Sequence, residues 1–206
     1  MEKRIAVIFR HGDYEKQMAN DGPLTENGKK RVREEMRKMT AEVYRVICEV
    51  FRYDPFDMNP PLKIAFLVSG SLRGLDTLRV IQEDLRFAGW LKEAGRQGGF
   101  CFPREEIRTD FYSSAEDGPI WRSLRQDTAF QKAAAELGWD EALLRLHLPL
   151  LKAPVARVLT ATREGNEELT IIINQSPHDR LIVEGLTGTR PTDALGLGCY
   201  RVVEFA

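Results

Sequence analysis

Arg4-Ile5-Ala6-Val7-Ile8-Phe9-Arg10-His11-Gly12 (RIAVIFRHG, residues 4–12) decides how the rest of the chain is read. Ile5 to Phe9 is β-branched and aromatic, has the length of a buried strand and stops abruptly at a charged tripeptide. Two further apolar runs, Ile64 to Val68 and Leu169 to Ile173, have the same character. Between them lie segments of helical periodicity. After Gly22-Pro23-Leu24, Thr25 can cap a helix whose core face is Val32, Met36, Met39, Val43, Val46, Ile47 and Val50. A second helical stripe is Leu78, Ile81, Leu85 and Ala88. Strands alternating with helices imply a mostly parallel sheet, in which ligands bind outside the carboxyl ends of the strands.

Three strand exits carry chemistry. The first run ends in Arg10-His11. The second leads through Ser69-Gly70-Ser71-Leu72 to Arg73. The third is followed by Asn174-Gln175-Ser176-Pro177-His178. Ser176 as N-cap and Pro177 as first helical residue place His178 in the first turn of a helix continued by Leu181, Ile182 and Leu186. Tyr200 to Phe205 reads as a closing strand. The stretch 95–151 breaks the rhythm and reads as an insertion over the sheet, with helical patterns at Phe130 to Leu137 and Ala142 to Leu150. Pro154 is expected to open the next helix, to about Thr162.

Length and composition bound the function. At roughly 150 residues per domain, 206 residues give one domain, 1–206, with the insertion at about 95–151. Thirty basic against thirty-one acidic residues leave a net charge of -1, so no overall field points to nucleic acid or an anionic membrane. The five apolar residues Ile5 to Phe9, between Arg4 and Arg10, are too short for a signal-peptide core, and no run is long enough to span a bilayer. Cys48, Cys101 and Cys199 form no C-x-x-C pair and read as reduced, buried thiols of a cytoplasmic protein. With only His11, His147 and His178, a histidine-built metal cage is hard to assemble, and no metal or cofactor is expected. His147, amid leucines, reads as a packing residue.

Two guanidiniums match the oxygens of a phosphoryl group, and a helix N-terminus adds backbone donors. A neutral imidazole can attack phosphorus and split the transfer into two steps. Nucleophile His11, with Arg10, Arg73 and His178 holding the equatorial oxygens, is the constellation these exits suggest.

Those residues resemble the histidine phosphatase superfamily, which includes cofactor-dependent phosphoglycerate mutases and small phosphohistidine phosphatases. Arg10-His11-Gly12 is similar to its defining motif, and Pro23-Leu24-Thr25-Glu26-Asn27-Gly28 to the helix-opening segment that follows. Ser69-Gly70-Ser71-Leu72-Arg73 with Thr77 resembles the second arginine segment, and Ser176-Pro177-His178 the second-histidine segment. The resemblance covers about residues 1–92 and 154–206. It implies a three-layer α/β/α sandwich, phosphoglycerate mutase-like, with an inserted lid; His11 as nucleophile; Arg10 and Arg73 on phosphate; and His178 as second catalytic histidine.

The spacing from Ser176 to His178 is one residue longer than in many members. Members acting on alcohol leaving groups also use a carboxylic acid, for which Glu116 is the nearest match, followed by Asp117, Asp179 and Asp110. Arg104, Arg108, Arg122 and Arg125 are basic residues that a lid could bring to a phosphate. The resulting expectation is a phosphatase acting on a phosphorylated small molecule or on protein phosphohistidine. Its alternatives are mutase-type transfer from a bisphosphorylated primer and a phosphate-binding module without turnover. An apolar face on the insertion's helices is read either as a homodimer surface or as the underside of the lid.

Overall fold

A computed structural model describes residues 3–15, 22–51, 64–87, 106–108, 123–124, 126–165, 168–174 and 176–206. Strands β1 (Arg4–Arg10), β2 (Ile64–Val68), β3 (Glu106–Arg108), β4 (Leu169–Asn174) and β5 (Tyr200–Phe205) form a sheet of order β3-β2-β4-β1-β5. β1, β2, β3 and β4 run parallel to one another, and only β5 is antiparallel, against β1. Every residue of β2 and β4 is buried, which is why both read as continuous apolar runs: helices cover the two faces.

Helices α1 (Glu26–Phe51) and α2 (Leu72–Phe87) cover one face. Side chains alternate along β1, so Ile5, Val7 and Phe9 pack with Val32, Met36, Met39 and Ile81, while Ala6 and Ile8 point to the other layer. That layer is α3 (Thr128–Leu137), α4 (Trp139–Leu146), α5 (Leu148–Glu164) and α6 (His178–Thr187). Its core joins Phe130, Leu143, Leu144, Val158 and Ile182 to Ile8 and Ile172. The expected three-layer sandwich with a mostly parallel sheet is thus the observed architecture.

Several local expectations are corrected. The pattern at 142–150 is two helices, because His147 closes α4, its N–H donating to Leu143 O at 2.9 Å, and stands immediately before α5. Pro154 does not open a helix. It lies inside α5, which starts at Leu148 with Pro149 in the first turn, where a missing N–H costs nothing. Pro154 gives up one helical hydrogen bond and buries its ring in the second core beside Leu151, Val155 and Val158, which offsets the loss. The stretch 95–151 also supplies β3, an edge strand that the apolar pattern did not announce. Cys48 and Cys199 are free thiols, half-buried rather than buried; Cys101 lies outside the described residues. Leu137, Trp139, Leu146 and Leu150 are apolar side chains left exposed on α3 to α5. Among the described residues, no helix is long and apolar enough to cross a membrane.

Candidate active site

The loop after β1 is fixed by backbone bonds from three sides. His11 N–H donates to Asn174 O at 3.2 Å, Arg10 N–H to Cys199 O at 2.9 Å, and Gly198 N–H to both Arg10 O and His11 O at 3.1 and 2.9 Å. The carboxyl ends of β1 and β4 and the entry to β5 therefore hold one another. On the helix side, Thr25 Oγ1 caps α1 by accepting Gly28 N–H at 2.9 Å, and Thr25 N–H donates to Asp13 O at 3.0 Å. Gly28 is required there, because a Cβ would run into the Asp13 carbonyl oxygen and lie 2.9 Å from Asp13 N.

His11 is 4 % exposed, and its Nδ1 lies 2.8 Å from Gly12 O. A carbonyl only accepts, so Nδ1 carries a proton, and in the neutral ring the lone pair is then on Nε2. The neighbouring residue's backbone thereby selects the tautomer of the neutral His11 ring.

Arg73 is the second residue of α2 and 9 % exposed. The fully buried Thr77, one turn on, joins the two motifs: Oγ1 accepts Gly12 N–H at 3.2 Å and donates to Arg73 O at 2.7 Å. Tyr14 joins them a second time, with its ring edge-on to His11 at 5.4 Å and the Arg73 guanidinium carbon 4.6 Å from its centroid.

Arg10 is held from the opposite side. Its Nη1 donates to Leu195 O at 2.6 Å, while Leu195 N–H donates to Asp179 Oδ2 at 2.9 Å. Arg10 Nε, Asp179 Oδ1 and both amide atoms of Asn174 are buried without a hydrogen-bond partner among the described residues. Burial raises the pKa of the fully buried Asp179, against the pull of the Leu195 and Arg180 N–H groups and the Arg10 charge.

His178, 6 % exposed, is the first residue of α6, on the same buried face as Leu181 and Ile182. Ser176 is not the cap expected of it. Pro177 occupies the cap position without a side-chain bond, and the Ser176 hydroxyl instead donates to Asp140 Oδ2 of α4. Arg10, His11, Arg73 and His178 thus all stand at the carboxyl edge of β1, β2 and β4. Asp179 is adjacent but committed to Leu195. Glu116, Asp117, Asp110, Arg104, Arg122 and Arg125 lie outside the described residues, and Arg108 is described only as backbone in β3. His147 lies away in the α3–α5 layer, its Nε2 3.6 Å from Asp127 Oδ2 and its ring 5.4 Å from Phe130.

Tyr14, Leu195 and Gly198 escaped the sequence reading. The last two act through backbone atoms, which leave no residue-type signature, and an aromatic three residues past His11 has no fixed meaning in a pattern. Among the described residues, no three His, Cys, Asp or Glu side chains are grouped to hold a metal ion.

No protein-family model matches the chain, and no curated protein sequence matches it. Solved structures do. One described as phosphohistidine phosphatase SixA from Nakamurella multipartitia has a TM-score of 0.50 at 11% identity, covering 99% of this chain and 86% of that one. A phosphoserine phosphatase variant from Entamoeba histolytica, solved with phosphoserine, has a TM-score of 0.49 at 15% identity, covering 97% and 89%. The protein histidine phosphatase SixA complexed with tungstate has a TM-score of 0.46 at 15% identity, covering 98% and 96%. At such identities the first likeness is one of fold.

Proposed function

We propose that the chain is a phosphatase of the histidine phosphatase type, which hydrolyses phosphomonoesters or protein phosphohistidine through a phosphohistidine on His11. The observation that carries this reading is the His11 Nδ1 contact with Gly12 O, which in the neutral ring puts the lone pair on Nε2, in a buried residue directly after β1 and Arg10. Arg10 spends Nη1 on Leu195 O and keeps a buried Nε–H without an acceptor, so donor capacity remains for an anion. Arg73 and the first turn of α6, with His178, add charge and donors from the other strand exits. The solved phosphohistidine phosphatase with this fold agrees with the reading.

In the first step Nε2 forms a bond to phosphorus as the bond from phosphorus to the leaving atom breaks. The leaving group departs with the electron pair and takes a proton from an acid or from water. Water then attacks the phosphohistidine, the P–N bond breaks, inorganic phosphate leaves and Nε2 regains its lone pair. Charge on the equatorial oxygens is met by Arg10 and Arg73, so no step requires a metal. For protein phosphohistidine, or for p-nitrophenyl phosphate, the leaving group is good enough to depart without a strong acid.

The test is hydrolysis of p-nitrophenyl phosphate in EDTA by the wild type and by His11→Ala. Turnover that survives chelation and is lost in the variant is expected. Absence of turnover in the wild type while inorganic phosphate still binds would overturn the phosphatase reading in favour of a specialised mutase or a binding module.

A further inference from the structure

The described site contains one contact that phosphoryl chemistry does not itself demand: an aromatic ring between the nucleophile and a phosphate-binding cation. Tyr14 is half-buried, its ring edge-on to His11, with interplanar angle 79° and centroids 5.4 Å apart. The Arg73 guanidinium carbon lies 4.6 Å from its centroid, within the range in which a ring attracts a cation. Its backbone is fixed as well. Tyr14 forms an antiparallel bridge with Leu24, Glu15 N–H donates to Pro23 O at 2.9 Å, and Leu24 N–H donates to Asp76 Oδ2 at 3.2 Å. Asp76 sits on α2, three residues after Arg73, so the loop carrying Tyr14 and the helix carrying Arg73 are tied together at both the ring and the backbone.

We propose that Tyr14 is a positioning residue whose aromatic face sets the Arg73 guanidinium and the His11 ring in the orientation that receives a phosphoryl group. This inference rests on the phosphate-site reading above but needs only anion binding, not turnover, to be tested. An arginine has many rotamers, and one held on a ring loses less freedom when it takes a ligand. The ring edge against His11 likewise limits rotation of the imidazole about the bond that Gly12 O already restrains. Tyr14 touches the groups that would contact substrate and is not itself assigned a bond to it.

The experiment measures inorganic phosphate binding by isothermal titration calorimetry, alongside p-nitrophenyl phosphate kinetics. Tyr14→Phe keeps the ring and is expected to bind phosphate within about twofold of wild type. Tyr14→Leu is expected to weaken it about 5- to 30-fold, the range of a desolvated cation–ring contact. In the kinetics that loss falls mainly on KM, since Arg73 holds the phosphoryl group before and during transfer. In an Arg73→Gln background, Tyr14→Leu should have little further effect, because the cation on which it acts is gone.

Mono-, di- and trifluorinated phenylalanines at position 14 keep the shape and fold while draining the ring face of negative charge. Phosphate affinity should fall stepwise with fluorine number. Affinity unchanged along that series, or a Tyr14→Phe variant as weak as Tyr14→Leu, would overturn the proposal. Failure of the phosphatase reading is separately recognised, as phosphate binding that depends on Tyr14 without turnover in the wild type.

Discussion

Thr77→Val tests whether one hydroxyl couples the His11 loop to the Arg73 helix. Thr77 is fully buried, and its Oγ1 accepts Gly12 N–H at 3.2 Å while donating to Arg73 O at 2.7 Å. Valine keeps the shape and strands the Gly12 N–H in a site from which water is excluded. An unmet buried donor costs about 1–3 kcal/mol. For a chain of this length each kcal/mol lowers Tm by roughly 2–4 °C, so the variant should melt about 2–12 °C below wild type. Thr77→Ser retains both hydrogen bonds and loses only a buried methyl group, worth about 1 kcal/mol. Because the bond also fixes Gly12, whose carbonyl sets the His11 tautomer, kcat/KM for p-nitrophenyl phosphate should fall at least tenfold in Thr77→Val and much less in Thr77→Ser. Differential scanning calorimetry and steady-state kinetics on both variants decide the matter. Equal losses of kcat/KM in the two, or a valine variant with unchanged Tm and kcat/KM, would refute the coupling.

Asp179 makes a prediction about pH. Burial raises its pKa, so the folded carboxyl holds its proton more tightly than the unfolded one, and stability contributed at low pH is lost as pH rises through that raised value. Asp179→Asn removes this dependence while still accepting Leu195 N–H. Urea denaturation should therefore favour the variant more at pH 7 than at pH 3.5; parallel behaviour at the two would contradict the assignment. Gly28→Ala should lower Tm despite alanine's higher helix propensity, because the new methyl group meets the Asp13 backbone, and a rise in Tm would show that contact to be soft. Tyr200 OH donates to Glu42 Oε2 at 2.7 Å, and burial, followed by that bond, raises the phenol pKa. Tyr200→Phe should cost about 1–3 kcal/mol in denaturant titrations and leave p-nitrophenyl phosphate turnover intact. A tenfold loss of turnover would place Tyr200 within the site's network.

What the sequence made legible follows from burial. β1, β2 and β4 are covered on both faces, so their β-branched runs are unbroken and end where the sheet meets solvent. Arg10, His11 and Arg73 were readable because they stand at those ends, and Thr25 because a cap is a local side-chain device. β3 was not, since three residues pairing with a single neighbour carry no periodic signal. Pro154 misled because its local preference for a helix start gave way to burial of its ring in the second core. Ser176 misled for a related reason: its hydroxyl serves Asp140, a residue 36 positions away that no local rule could have named. The hold of Leu195 and Gly198 on Arg10 and His11 runs through backbone atoms, legible only once β5 lies beside β1.

The central claim is that His11 Nε2 takes the phosphoryl group. It is tested most directly by rapid-quench trapping with 32P-labelled protein phosphohistidine or a labelled aryl phosphate, followed by peptide mapping. Acid-labile, base-stable label on the peptide containing His11, absent in His11→Ala, is the predicted result. Turnover with no label at His11, or label on another residue, would contradict it.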